Sequence, residues 1–165
     1  MVRWFRISGK QYLGFWALGL LLFALQEVPY ILMPLFRLGS DPIMHMEESS
    51  AALNAVEKIL GSLCVAAMVF IVHEDARFFS VSSSREKAFF ALAVMLLLAN
   101  YFGWALYFSG LQSDLVMLLF IVALPPLYYA AIGLWRRNAP LTVLALAFLA
   151  AHFIHVYGNL KGGGA

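Results

Sequence analysis

The sequence predicts an all-α, multi-pass membrane protein built as a bundle of five transmembrane helices, and three observations support this prediction. Hydrophobic residues make up 63% of the chain and charged residues only 12%, whereas a soluble domain is nearer roughly one half and one quarter. The apolar residues fall into five long runs, each near the roughly 20 residues that a helix needs to cross a bilayer. The runs lack the strict alternation of barrel strands, and lipid offers no partner to free backbone groups. We therefore expect helices in one integral membrane domain.

Short polar segments fix the ends of the predicted spans. The separating stretches are RLGSDPIMHMEESS, HEDARFFSVSSSREK, SGLQSD and RRNAP. The predicted spans are 13–36, 51–72, 88–108, 115–135 and 140–158. Residues 2–10, VRWFRISGK, combine basic and aromatic side chains, which predicts a segment in the headgroup layer on the cytoplasmic side.

Prolines interrupt the first and the fourth spans. Pro29 and Pro34 lie in the outer half of the first span, and PP at 125–126 lies near the middle of the fourth. Proline lacks the backbone donor of its own residue and leaves a carbonyl one turn earlier without a partner. We therefore expect a kinked first span with free carbonyls near Leu25 and Tyr30, and a break or bend in the fourth span.

In a topology with five spans, the basic residues lie mainly on one side of the membrane. Of the 11 Lys and Arg residues, only Arg37, Lys58 and Lys161 fall on the other side. Because cytoplasmic segments are enriched in Lys and Arg, we predict a cytoplasmic N-terminus and an external C-terminus in the plasma membrane of the cell. The net charge of +2, without a basic patch, argues against nucleic acid as a partner.

Polar side chains collect in the half of the bundle that this orientation places outside. A helix rises about 1.5 Å per residue, so the depth of each polar residue can be counted from the end of its span. The inner halves of the first, second, third and fifth spans carry almost no polar residue. The candidate ligand-binding residues are Glu27, Glu57, Asn100, Tyr101, Trp104, His152 and His155. They predict an intramembrane polar cavity that faces outward.

Helical spacing supports this convergence on two of the spans. Glu57 follows Asn54 on one face of the second span, and Asn159 follows His152 and His155 on one face of the fifth, since residues three or four apart are neighbours on a helix. The third and fifth spans also carry pairs of small residues four apart, Ala99 with Gly103 on the third span and Ala147 with Ala151 on the fifth. Such residues let helices approach closely in lipid, so we expect these two spans to pack together.

Glu27 is the residue least expected in a span. A charged carboxylate that faces lipid at this depth costs several kcal/mol. We therefore expect Glu27 to be protonated, paired or facing a water-filled cavity. A role in binding or proton handling is weighed against a buried carboxyl that only fixes the register of two helices.

Histidines and carboxylates in the same half could also form a metal site. His152, His155, Glu27 and Glu57 offer nitrogen and oxygen ligands of the kind that suit zinc, iron or manganese. The pattern HFIH nevertheless lacks the spacing and the glutamate of the HExxH metal motif. We assign no metal and leave the cofactor open, and we favour hydrogen-bonding or proton-relay roles for the two imidazoles.

These features indicate three classes of function. The first is a protein that binds or transports a small molecule, an ion or a lipid-like ligand in the outer cavity, as a homodimer or in a larger complex. The second is a non-catalytic accessory, immunity or assembly subunit, in which the polar residues only specify helix packing. The third is a membrane enzyme, metal-dependent or not, that acts on a lipid-like substrate; no nucleophile motif supports it, and we rank it last.

Overall fold

The structure is a computed structural model and describes residues 1–36, 41–43 and 45–162. The helices are α1 (Ala17–Leu32), α2 (Ala51–Phe70), α3 (Ser84–Phe108), α4 (Leu124–Arg136) and α5 (Ala139–Gly162). The strands are β1 (Val2–Ser8), β2 (Gln11–Phe15) and β3 (Ile71–His73). A 3-10 turn at Met33–Leu35 extends α1, and a π-helical segment at Val116–Ala123, called here the π segment, leads into α4.

Five helices of the described chain are long and apolar enough to cross a membrane. They are Ala17–Leu35, Ala51–Phe70, Ser84–Phe108, Val116–Arg136 and Ala139–Lys161. The ends of the second to fifth helices agree with the predicted spans to within about one helical turn. Arg37, which the charge argument uses, lies outside the described residues.

The N-terminal residues form a β-hairpin, which corrects the prediction of an entirely helical protein. β1 pairs antiparallel with β2, and β2 pairs antiparallel with β3, the short strand that follows α2. Gly9 turns the hairpin with a φ of +51°, a left-handed conformation that glycine adopts readily. Residues 13–15 therefore belong to a strand and not to the first span. Apolar periodicity did not reveal this strand because its residues run directly into the apolar helix that follows.

The fourth span, formed by the π segment and α4, occupies the centre of the bundle. Most of its residues are buried, whereas the other spans turn most of theirs outward. It packs against α3 on one side and α5 on the other, and α5 also packs against α2. The expected pairing of the third and fifth spans through their small residues is therefore not the arrangement observed. Gly103 of α3 instead lies against Phe120 of the π segment.

The prolines are accommodated without a break in either helix. α1 continues through Pro29 to Leu32, and Pro34 lies in the 3-10 turn. Pro125 and Pro126 lie in the first turn of α4, where the π segment ends. The expected break in the fourth span is thus a change from π to α winding. The first turn of an α-helix tolerates proline because its backbone donors have no partner within the helix.

Side chains of α3 satisfy two carbonyls that precede these prolines. The Tyr101 hydroxyl donates a hydrogen bond to the carbonyl of Leu25, four residues before Pro29. Asn100 Nδ2 donates to the carbonyl of Phe120 over 2.7 Å, and Phe120 lies five residues before Pro125, which is the hydrogen-bond spacing of π winding. The free carbonyl that we expected near Leu25 therefore exists, but a tyrosine occupies it and not a ligand.

The two ends of the bundle differ in structure. We call one the sheet end; it comprises the three strands, residues 74–83 and the turn between α4 and α5. The other, the pocket end, comprises the described residues between α1 and α2, the connection between α3 and the π segment, and the C-terminal turn of α5. Hydrogen bonds hold each end together, for example from Gln11 Nε2 to the Arg137 carbonyl over 2.8 Å at the sheet end.

Asn138 connects three elements at the sheet end. Its side chain is buried. Nδ2 donates hydrogen bonds of 2.8 Å to the carbonyls of Ala67 and Ile71, at the end of α2 and the start of β3. Oδ1 accepts a bond of 3.1 Å from the backbone N–H of Leu141 in the first turn of α5. One amide thus caps α5 and ties it to α2 and the sheet.

Candidate functional site

A cavity of about 280 Å³ opens at the pocket end between α2, α5 and the fourth span. Its polar lining residues are Tyr30, Glu48, Asn54, Glu57, His152, His155 and Asn159. Its apolar lining residues are Ile43, Met46, Met117, Ile121, Val122 and Val156. The volume lies near the lower limit of the range of roughly 300–1,000 Å³ that is typical of ligand pockets. The cavity therefore suits a small molecule with an apolar body and a polar end.

A carboxylate between two imidazoles forms the polar end of the cavity. Glu57 projects from α2, and His152 and His155 project from one face of α5. His155 Nδ1 lies 2.5 Å from Glu57 Oε2, and His152 Nδ1 lies 3.1 Å from Glu57 Oε1. The side chains of Glu57 and His152 remain 20% and 15% exposed. The distance between His152 Nδ1 and Glu57 Oε1 is short enough for an ion pair. His152 Nδ1 nevertheless has no partner with hydrogen-bond geometry among the described residues.

Asn159 and Ser49 determine the tautomer of His155. The backbone N–H of Ser49 donates to Asn159 Oδ1 over 2.8 Å, and the Ser49 hydroxyl donates to the same oxygen over 2.6 Å. The amide nitrogen of Asn159 therefore faces His155 Nε2 at 3.3 Å. An amide N–H can only donate, so His155 Nε2 accepts and the ring proton lies on Nδ1. His155 is thus a neutral donor to Glu57 Oε2.

Glu27 does not line the cavity. It is half-buried on α1 and makes no hydrogen bond or ion pair within the described part of the chain. Its neighbour Gln26 is the buried polar residue of α1, with Oε1 accepting a hydrogen bond of 2.6 Å from the Tyr129 hydroxyl. The helix turns Gln26 toward α4. Tyr30, one turn later on α1, reaches the cavity in place of Glu27.

The three candidate residues on α3 also lie outside the cavity lining. Asn100 and Tyr101 bond to the carbonyls that precede the prolines, as described above. Trp104 is buried behind Tyr30, with the two ring centroids 4.6 Å apart in an edge-on arrangement. It therefore supports a lining residue without reaching the cavity itself. Of the seven candidates, the cavity brings together Glu57, His152 and His155.

The four possible metal ligands considered in the sequence are not brought together as a set. No group of three or more His, Cys, Asp and Glu side chains within residues 1–36, 41–43 and 45–162 is arranged to hold a metal ion. Glu27 is absent from the lining, which removes one of the four proposed ligands. Both Glu57 oxygens already lie against imidazole nitrogens. The described residues thus form a hydrogen-bonded acid–imidazole group.

Several lining residues were not among the candidates. Asn54 and Asn159 were visible as members of the polar stripes on the second and fifth spans, so helical spacing was the signal that could have identified them. Met117 and Ile121 belong to a span whose apolar sequence carries no such signal. Glu48 reaches the rim because Asn54 Nδ2 donates to its Oε2 over 2.6 Å, a contact that spacing alone does not reveal.

No protein-family model matches the chain, and no curated protein or solved structure shows significant similarity to it. The chemistry of the site therefore follows from the lining residues themselves. These supply two carboxylates, two imidazoles and an apolar wall. Such a lining can hold the polar group of a small molecule at Glu57 and surround its remainder with methyl and thioether groups.

Proposed function

We propose that this protein is a multi-pass membrane protein that binds a small molecule in the cavity at the pocket end. The single observation that carries the proposal is the cavity of about 280 Å³ with Glu57, His152 and His155 at its polar end. Ionisable groups within a membrane span are costly unless a partner or a function retains them. Three such groups beside an open cavity favour binding over packing alone.

We further propose that the cavity opens on the outer face of the plasma membrane. The sheet end carries most of the basic residues, on the hairpin, on the connection that leads into α3 and at the end of α4. The positive-inside tendency places such an end in the cytoplasm. The cavity lies at the other end of the bundle and would therefore receive its ligand from outside the cell.

A reporter fused to the C-terminus tests this orientation. Because five spans place the two termini on opposite sides, an enzyme reporter that is active only outside the cytoplasm should be active at the C-terminus and silent at Met1. Activity of the N-terminal fusion with a silent C-terminal fusion would place the cavity on the cytoplasmic side.

A second candidate function is that of a non-catalytic subunit in a membrane complex. The observation that favours it is that both oxygens of Glu57 contact histidines of α5, an arrangement that would also lock α2 to α5 without any ligand. In that case, a bulky side chain that fills the cavity would displace no bound small molecule from the purified protein.

Cavity filling separates the two candidates. Val156 lines the cavity, whereas Val143 lies on the same helix and is 67% exposed on the outer surface of the bundle. Val156→Trp should remove any retained small molecule, and Val143→Trp should not. Native mass spectrometry of the full chain, extracted from its own membranes in mild detergent, measures the retained mass. Spectra in which the wild type and both variants each show only the mass of the protein itself, with no bound small molecule, would contradict ligand binding and favour the subunit.

A further inference from the structure

We propose that the ligand is a small organic cation, an ammonium group on an apolar body, with the ammonium held by the Glu57 carboxylate. This inference rests on the proposed function and adds the chemical class of the ligand. It depends on the charges that face the cavity, on the state of His155 and on the apolar wall.

Acidic side chains outnumber lysine and arginine in the described lining, which also contains two histidines. Glu57 lies at the polar end and Glu48 at the rim, and none of the lining residues is Lys or Arg. Lys58 follows Glu57 on α2 but is exposed and lies outside the lining. Lys161, near the end of α5, is paired with Asp114 at 3.3 Å. The described part of the cavity therefore favours a cation over an anion.

The network behind His155 keeps Glu57 available to a cation. Because Asn159 donates to Nε2, a second proton on His155 would place two donors against each other and lose that bond. His155 therefore remains a neutral donor and does not cancel the charge of Glu57. A carboxylate offers about four lone-pair sites. The bond from His155 uses one of them, and His152 Nδ1 lies 3.1 Å from the other oxygen without forming a hydrogen bond. The free sites can accept hydrogen bonds from an ammonium group.

The remainder of the lining selects an apolar body. Met117, Ile121 and Val122 of the π segment and Val156 of α5 line the cavity, and Tyr30 adds an aromatic ring. None of these side chains offers a charged donor or acceptor. Methionine adapts readily to differently shaped apolar ligands. An ammonium ion without an apolar body would leave this wall uncovered, and a neutral body without an ammonium would leave Glu57 without a counter-charge.

Three probes of nearly the same shape test the ligand class. They are 2-phenylethylamine, which is a cation, 2-phenylethanol, which is neutral, and phenylacetate, which is an anion. Isothermal titration calorimetry with the full chain in zwitterionic nanodiscs at pH 7.5, corrected with empty nanodiscs, gives their affinities. We expect the amine to bind at least about tenfold more tightly than the alcohol, the effect of one charge-assisted hydrogen bond, and phenylacetate to bind most weakly.

Two variants that remove the same charge test whether the preference for the amine arises at Glu57. Glu57→Gln should weaken amine binding at least about tenfold and change alcohol binding far less, which also shows that the variant is folded. Glu47→Gln removes the same charge from an exposed residue of the pocket end that does not line the cavity, and it should change neither affinity.

The outcomes separate the two proposals. Alcohol or phenylacetate binding as tight as the amine, or an amine affinity that Glu57→Gln leaves unchanged, would overturn the cation and keep the cavity as a binding site. No binding of any probe, together with no retained small molecule that Val156→Trp removes, would overturn both. The ranking of the probes in the unmodified protein is decisive even if Glu57→Gln does not fold.

Discussion

Replacing Asn138 with alanine is expected to lower the free energy of unfolding by about 2–4 kcal/mol. The buried amide makes three hydrogen bonds that involve α2, β3 and α5. Alanine removes the cap of α5 and leaves the buried carbonyl of Ala67 and the partly buried carbonyl of Ile71 without these donors. Losing a partner for a buried polar group costs about 1–3 kcal/mol. Denaturant-induced unfolding in detergent micelles, followed by circular dichroism, measures the loss.

The matched control is the cap of α2. Ser50 Oγ accepts one hydrogen bond of 3.3 Å from the backbone N–H of Leu53, and within the described residues it makes no bond to another helix. Ser50→Ala should therefore cost only the loss of a cap, about 0.5–2 kcal/mol. The difference between the two variants reports the two bonds from Asn138 Nδ2. Equal losses for Asn138→Ala and Ser50→Ala would show that the ties to α2 and β3 contribute nothing.

Replacing Gly103 with alanine should force α3 away from the fourth span. A Cβ atom at this position would lie 2.1 Å from Phe120 Cβ and 3.3 Å from Phe120 Cα. These atoms belong to or adjoin the backbone, so a side-chain rotation cannot relieve the clash. Overpacking of this kind costs about 1–3 kcal/mol. The shift would also strain the bond from Asn100 to the Phe120 carbonyl. We expect a lower midpoint of thermal unfolding in detergent.

Gly61 is the control for this substitution. It also lies within a helix, but an added Cβ would meet only the edge of the Phe148 ring at 3.4 Å, an ordinary contact. Alanine is favoured over glycine in helix interiors by about 1 kcal/mol. Gly61→Ala should therefore leave the midpoint unchanged or raise it. A Gly103→Ala protein as stable as Gly61→Ala would contradict the close approach of α3 and the π segment.

Membrane spans could be predicted from the sequence because they follow from composition and length alone. The hairpin could not be predicted, because Tyr12 and Leu13 lead into an apolar run that looks helical and β3 is only three residues long. A strand this short is defined by its partner in space and not by its own pattern. The π winding before Pro125 was also hidden, since it depends on the carbonyl that Asn100 satisfies from another helix.

The site could be predicted where polar residues follow helical spacing. Glu57, His152 and His155 lie on the stripes of α2 and α5, and these two faces meet. Tyr101 instead donates a hydrogen bond to the Leu25 carbonyl, and Glu27 is not among the residues that line the cavity. Depth counting places residues along a helix but does not tell which neighbour each one faces. The helix neighbours are set by packing around the fourth span, which the sequence pattern of any single helix does not contain.

The position of a bound amine tests the central claim most directly. The claim is that a small organic cation occupies the cavity with its nitrogen at Glu57. A crystal structure of the full chain with 4-bromophenethylamine would locate the bromine by its anomalous scattering. We predict one strong peak among Met117, Ile121 and Val156, with the amine nitrogen at hydrogen-bond distance from the Glu57 carboxylate. A saturated crystal with the bromine outside the cavity, or with the amine turned away from Glu57, would contradict the account.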